Sequence, residues 1–325
     1  MALKSENPPD LNPDLKIELG NCQTTGIGSV PFEDPDTAIK LILDRCDIPY
    51  WPQLKGESMY DQFSFPLPWE SDVISFYEDI LEEKKERFTY PKRLFRGLYR
   101  FADLVDEKLD VIKGQIIGPI TLGYYLKDDQ GKALILDENW KEIIVMALRA
   151  EAGWQELFLR SLAKEVIIFL DEPFLSISGT PQFTISPKEC DSMLREVLSG
   201  FDCIKGIHCC GNTDWEQILS LPINIVSFDA YAYGKNFAAY KKDIRKFIDC
   251  GGMVAWGITP STQEIESENT ETLSKKLLGL MENTCPPESS MVTPSCGLSS
   301  LSHKQAKRAM EITQDISDFL KSRFS

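Results

Sequence analysis

The chain has 325 residues, of which 42% are hydrophobic and 26% charged, and it carries a formal net charge of −15. That charge excludes a nucleic-acid backbone or an anionic membrane surface as the main partner, because both require basic patches. No run of about 18 or more consecutive apolar residues occurs, so no transmembrane helix is expected.

Residues 1–15 form a polar extension with three prolines and three acids. They lack the basic-then-apolar layout of a secretory signal, so a cytoplasmic location is expected. Short apolar runs, each the length of one strand, then follow at 16–26, 48–54, 111–117, 166–170, 204–209, 223–228, 253–258 and 291–294. Stretches of helical periodicity lie between most of them, among them 35–45, 140–164, 187–199 and 270–282. The final stretch, 303–324, places Ala306, Ala309, Met310, Ile316, Phe319, Leu320 and Phe324 on one stripe. Strands alternating with helices imply parallel strands joined by crossovers. Eight of them predict a single-domain α/β fold, a (β/α)8 TIM barrel spanning 1–325. The long gap at 55–109 predicts a helical insertion over the barrel mouth, with the Pro-rich piece 63–69 as a loop.

Barrel chemistry sits at the C-terminal ends of the strands. In this chain those ends carry Thr25-Gly26-Ile27-Gly28-Ser29, Glu57 beyond the second strand, Gly118-Pro119-Ile120-Thr121, Asp171-Glu172-Pro173, His208-Cys209-Cys210-Gly211-Asn212, Asp229-Ala230-Tyr231, Gly257-Ile258-Thr259-Pro260 and Cys296-Gly297. Polar residues thus gather at one end of nearly every strand.

There are nine cysteines and two histidines. An odd cysteine count without an export signal argues against a disulfide framework. Cys22, Cys46, Cys190, Cys203, Cys250 and Cys285 are expected to pack as small hydrophobes. His208 and Cys210 are two apart, so in extended backbone both face the barrel axis while Cys209 turns toward the helices. Cys296 arrives at the same end of the barrel. One imidazole and two thiolates favour zinc over hard cations, and three protein ligands leave a fourth position for a further residue or a substrate. The bland alternative for a His-x-Cys pair on a strand is core packing. Asp229 either reaches the metal or caps the following helix. Asp171 emerges from a buried run and suits a substrate ammonium, or else a turn. Gly28-Ser29 offers N–H groups and a hydroxyl to a substrate carboxylate. Glu57 is placed either at the site or in an ordinary surface turn.

From Thr24 to about Ser302 these segments, in order and spacing, resemble the catalytic C-terminal half of cobalamin-independent methionine synthase. More loosely, they resemble the superfamily of uroporphyrinogen decarboxylase and the zinc methylcobamide:thiol methyltransferases. The resemblance implies a zinc ion held by His208, Cys210, Asp229 and Cys296, with Asp229 standing where the family has a Glu. It implies homocysteine held by Ile27, Gly28, Ser29, Asp171 and Glu57, with no catalytic residue beyond the zinc site. Two family features are altered. Tyr125 stands near the place of a folate-stacking Trp, and 257–260 lacks the His that donates a proton to the departing folate. The N-terminal half of the folate-dependent enzyme has no counterpart either. The chain therefore resembles the short "core" methionine synthases of methionine biosynthesis, and a methyl-corrinoid or corrinoid protein is the expected methyl donor.

A zinc-bound thiol is deprotonated and nucleophilic. A low-valent cobalt leaving group needs no proton, which agrees with the absent acid. Three rivals are carried forward. One is a methylcobamide:coenzyme M-type enzyme with another thiol acceptor, which would have no ammonium for Asp171. Another is a decarboxylase, which would need an arginine-rich N-terminal segment where 1–53 has only Arg45. The third is a non-enzymatic zinc- or corrinoid-handling protein with all four metal positions closed.

Overall fold

The computed structural model describes residues 19, 21–57, 67, 72–82, 84–282 and 284–324. Chain order is β1 (Gln23–Thr24), α1 (Pro35–Arg45), α2 (Val73–Leu81), α3 (Arg96–Leu104), β2 (Leu109–Ile117), α4 (Pro119–Tyr125), α5 (Glu138–Arg160), β3 (Ala163–Asp171), α6 (Pro187–Leu198), β4 (Ile204–Cys209), α7 (Trp215–Leu219), β5 (Ile225–Phe228), α8 (Ala230–Phe237), α9 (Lys241–Asp249), β6 (Met253–Thr259), α10 (Thr270–Met281), β7 (Ser290–Pro294) and α11 (His303–Phe324). All strand pairs are parallel, in the order β1-β7-β6-β5-β4-β3-β2. Apolar runs of strand length, each followed by a helix that returns the chain, leave parallel pairing as the way to bury both faces of the sheet.

The described residues form seven strands, not the predicted eight. The missing one is 48–54, which makes only isolated parallel bridges, Ser29↔Gln53 and Tyr50↔Lys113. Its bonds run to both neighbours all the same. Ile48 N–H donates to Thr24 O at 2.9 Å, Gln53 N–H to Gly28 O at 3.0 Å, and Pro49 O accepts from Lys113 N–H at 2.8 Å. Pro49 and Pro52 have no N–H to give, so a continuous ladder cannot form there. β1 is also shorter than predicted, and residues 16–18 of that run lie outside the described residues.

Alternation sorts the strands into two faces. Ile48, Val111, Ile167, Phe169, Ile204, Ile225, Met253, Ala255 and Met291 pack together inside the curled sheet. The opposite faces, including Ile112, Ile168, Ile207, Cys209, Val226, Val254 and Val292, join the helices in the main core. Gly114 is required on that outer face, because a Cβ there would lie 2.0 Å from Gln155 Oε1 on α5.

In the predicted 55–109 insertion, Phe76 of α2 and Phe88 pack on Ile143 and Ala147 of α5. The proposed loop 63–69 lies outside the described residues except for Leu67. On α11 the stripe is Ala306, Ala309, Met310, Ile316 and Leu320, joined by Thr313 and Ser317. Phe319 and Phe324, predicted on that stripe, are exposed, because the buried face is centred one position round the helix from them. No described helix is long and apolar enough to cross a membrane.

A buried polar network ties α5 to the segment before β2. Tyr90 hydroxyl donates to Glu151 Oε1 at 2.5 Å, Gln155 Nε2 donates to Tyr90 Oη at 2.8 Å, and Trp51 Nε1 donates to Gln155 Oε1 at 3.3 Å. Glu151 Oε2 is buried without a partner, and burial raises the Glu151 carboxyl to about 7. The folded state therefore keeps a proton that the unfolded chain releases near pH 4.5. Stability present below that pH is lost as pH rises through 7, at up to about 1.4 kcal/mol per pH unit. Glu151→Gln is expected to flatten part of this decline and to raise the urea midpoint at pH 8 but not at pH 4. Equal midpoint shifts at both pH values would refute it.

Candidate metal and substrate site

The register brings the fifth predicted strand end against its neighbours. Asp171 pairs with His208, and His208 with Ser227. His208 and Ser227 face inward, while Cys209 packs among the helices with its thiol toward Gly211 O at 3.6 Å. His208, Cys210 and Cys296 offer an imidazole nitrogen and two sulfurs that all lie within 4.8 Å of one another, the one such cluster of three among the described residues. His208 is 2% exposed, and its Nδ1 meets Ser227 Oγ at 3.0 Å. Its Nε2 is buried with no partner.

An unpaired buried ring nitrogen costs free energy unless something fills the space before it. With two sulfurs beside it, the donor set and its spacing fit a zinc ion held by His208, Cys210 and Cys296. The two thiols sit as a pair. The hydrogen bond from Cys296 lowers Cys210, helped by His208, while the same contact and burial raise Cys296. Elsewhere burial pushes Cys22 up to about 11 and Cys190, Cys209 and Cys285 up to about 12. All nine are free thiols.

Asp229 is not among the three converging ligands. It is half-buried, and its Oδ1 accepts from Ala232 N–H at 2.8 Å as the N-cap of α8. Burial raises its carboxyl, with Cys210 and His208 close enough to act on it. The shorter side chain is thus spent, through one oxygen, on the helix that starts behind it. Glu57 is likewise engaged. Its carboxylate accepts from Leu54 N–H at 3.4 Å and Arg96 N–H at 3.0 Å, and it pairs with the Arg96 guanidinium at 3.5 Å. Asp171 is half-buried, with its Oδ1 enclosed and without a partner. Burial raises its carboxyl, and Lys113 and His208 oppose the rise.

The turns that hold these groups explain their glycines. Glu172 accepts from Ile120 N–H at 2.9 Å, Thr121 N–H at 2.8 Å and Thr121 Oγ1 at 2.6 Å, which caps α4. A Cβ on Gly118 would lie 2.2 Å from that carboxyl carbon. A Cβ on Gly297 would lie 2.0 Å from Ser29 Oγ, and Leu298 N–H donates to Ser29 O at 2.8 Å. The Ile27–Ser29 turn and the Cys296–Gly297 turn are therefore packed directly together. His303 lies apart from the cluster, with Nε2 at 3.0 Å from Pro31 O.

Three residues escape a reading of strand ends. Ser227 is the one polar residue in Ile225–Phe228, and its inward register reveals its partner. Lys113 and Gln115, two apart within an apolar run, are fully buried inside the sheet. Ser227→Ala is expected to weaken zinc binding by roughly 10-fold or more, since a group that orients a ligating His is typically worth 10–100-fold. Chelator competition would measure it, and an unchanged affinity would exclude the orienting role.

No protein-family model matches the chain, and no curated protein matches it by sequence. Solved structures do. A protein from Listeria monocytogenes, provisionally assigned as a vitamin-B12-independent methionine synthase, is 15% identical, with a TM-score of 0.44 and coverage of 64% of each chain. A B12-independent methionine synthase from Shewanella sp. W3-18-1, solved with selenomethionine, is 18% identical with a TM-score of 0.51. The match covers 70% of this chain and 67% of that one, so over about two thirds of each the parallel α/β fold is shared with a B12-independent methionine synthase.

Proposed function

We propose that this chain is a zinc-dependent methyltransferase that converts homocysteine to methionine, with a methyl-corrinoid or corrinoid protein as donor. The observation that carries the reading is the convergence of a His208 ring nitrogen with the sulfurs of Cys210 and Cys296, all within 4.8 Å, while Nε2 is buried without a hydrogen-bond partner. Those three residues would hold the zinc, and the fourth position is left for Asp229 or for the substrate sulfur. When bound, the metal supplies the charge that keeps a substrate thiol deprotonated at neutral pH. The seven strands with 48–54 beside them are read as one (β/α)8 barrel, with 55–109 as its insertion.

The chain's own groups do the rest. Ser227 holds the His208 ring so that Nε2 faces the cleft. Asp171 offers its free Oδ1 to the substrate ammonium. The Gly28 and Ser29 N–H groups and the Ser29 hydroxyl suit the carboxylate. Glu57, which accepts from Arg96 N–H at the start of α3, is read as a further substrate-binding group.

Two observations favour a corrinoid donor over methyl-folate. The segment 257–260 at the end of β6 holds neither a His nor an acid for a departing amine, and its Thr259 is buried and accepts from Thr313 Oγ1 at 2.9 Å. Tyr125 stands near the place of the family's stacking Trp, so that platform is altered. The free Asp171 oxygen favours an amino-acid thiol over coenzyme M, and a non-enzymatic zinc protein would leave no position open to a thiol.

Single-turnover transfer to homocysteine by the zinc-loaded chain tests this, with methylcobalamin and methyl-folate offered in parallel. Methionine from methylcobalamin alone supports the reading. Methionine from methyl-folate overturns the donor assignment. No product from either donor, or from a supplied methyl-corrinoid protein, overturns the acceptor.

A further inference from the structure

Lys113 lies in the middle of β2 and is 0% exposed. A buried ammonium needs partners for its three donors, or its desolvation is uncompensated. It has them. Nζ donates to Ile27 O at 2.7 Å and to Gln115 Oε1 at 3.2 Å, and it stands 4.5 Å from the centre of the Phe169 ring. Gln115 in turn donates to Trp51 O at 3.1 Å, and its side chain lies against Gly28, where a Cβ would come within 2.9 Å of Gln115 Cδ. Two consecutive inward side chains of β2 therefore carry the Ile27–Gly28 peptide from beneath.

That peptide has a defined polarity. Its bond is not cis, so the Ile27 carbonyl and the Gly28 N–H point in opposite directions. With the carbonyl drawn down onto Lys113, the Gly28 N–H points away from the sheet interior. Gly28 O is separately fixed by Gln53 N–H at 3.0 Å, and Ser29 O by Leu298 N–H at 2.8 Å. The turn is thus anchored through its carbonyls.

We infer that Lys113 is a positioning residue for substrate specificity: by anchoring Ile27 O it aims the Gly28 N–H at the carboxylate of an amino-acid thiol. This rests on the function proposed above and adds to it which interior group selects for a carboxylate-bearing substrate. Burial lowers Lys113, and the Asp171 carboxylate opposes the fall.

The test is binding to the zinc-loaded full chain of two thiols: homocysteine, and 3-aminopropane-1-thiol, which is homocysteine without its carboxylate. The wild type should prefer homocysteine. Lys113→Met, similar in length and uncharged, should weaken homocysteine about tenfold or more, the scale of a lost charge-assisted contact, and leave 3-aminopropane-1-thiol within about twofold. Lys113→Arg, which retains charge and donors, should recover most of the preference. Equal weakening of both thiols in Lys113→Met, or no weakening, would overturn the inference while leaving the methyltransferase reading intact. A wild type that binds neither thiol would sink that reading instead. If Lys113→Met does not fold, Lys113→Gln is compared with Lys113→Arg: a selective loss in Gln supports the inference, and equal behaviour of the two overturns it.

Discussion

Cys210→Ala is expected to abolish stoichiometric zinc binding and methyl transfer, while Cys209→Ala, one residue away, leaves both near wild type. The two thiols separate because successive side chains of an extended segment point to opposite faces. Cys210 joins His208 and Cys296 within 4.8 Å, and Cys209 is buried among the helices. Loss of a direct ligand should exceed the roughly 10–100-fold effect of losing a partner that only orients one. The Cys209 variant should cost on the order of 1 kcal/mol of stability, as for a small buried truncation. Metal analysis of both purified variants, with denaturation curves to confirm folding, decides the matter. Zinc retained by Cys210→Ala, or lost only from Cys209→Ala, would show that the metal site is wrongly assigned.

Glu172→Ala should produce the largest loss of stability of the changes considered, about 3–5 kcal/mol. The carboxyl is fully buried and satisfies Ile120 N–H, Thr121 N–H and the Thr121 hydroxyl. Removal strands all three at the N-terminus of α4, where the partial positive charge of the helix also favours an acid. The damage should extend to the metal site. Thr121 Oγ1, held by the carboxyl, accepts from Phe174 N–H at 3.2 Å, and the backbone N–H of Glu172 donates to His208 O at 2.8 Å, so a shift of this turn reaches the end of β4 through the main chain. Glu172→Gln, which keeps the volume and one acceptor, should lose about half as much. Urea denaturation distinguishes the two, and a loss under about 1 kcal/mol for Glu172→Ala would refute the capping role.

Much of the fold was legible because strand and helix periods differ. Runs at 111–117, 166–170, 204–209, 253–258 and 291–294 all became strands. The 48–54 run has the apolar content of a strand, but Pro49 and Pro52 lack the N–H donors that a continuous ladder needs. The same limit applied at Phe319 and Phe324, where spacing marks a stripe but only the neighbouring elements decide its centre.

By itself the sequence determined which side chains share a face: His208 with Cys210 inward, Cys209 outward, and Cys296 at the same end of the sheet. The first two follow from local backbone geometry, fixed within a few residues, and the third from the alternation of strands and helices, which makes the strands parallel. Tertiary structure alone decided what each group meets. Asp229 was committed through one oxygen to its own helix, Glu57 to the start of α3, Ser227 to His208, and Lys113 to a carbonyl 86 residues away. Such pairings are set by the register between strands and by which buried polar groups must find partners. They become readable only when distant segments lie side by side.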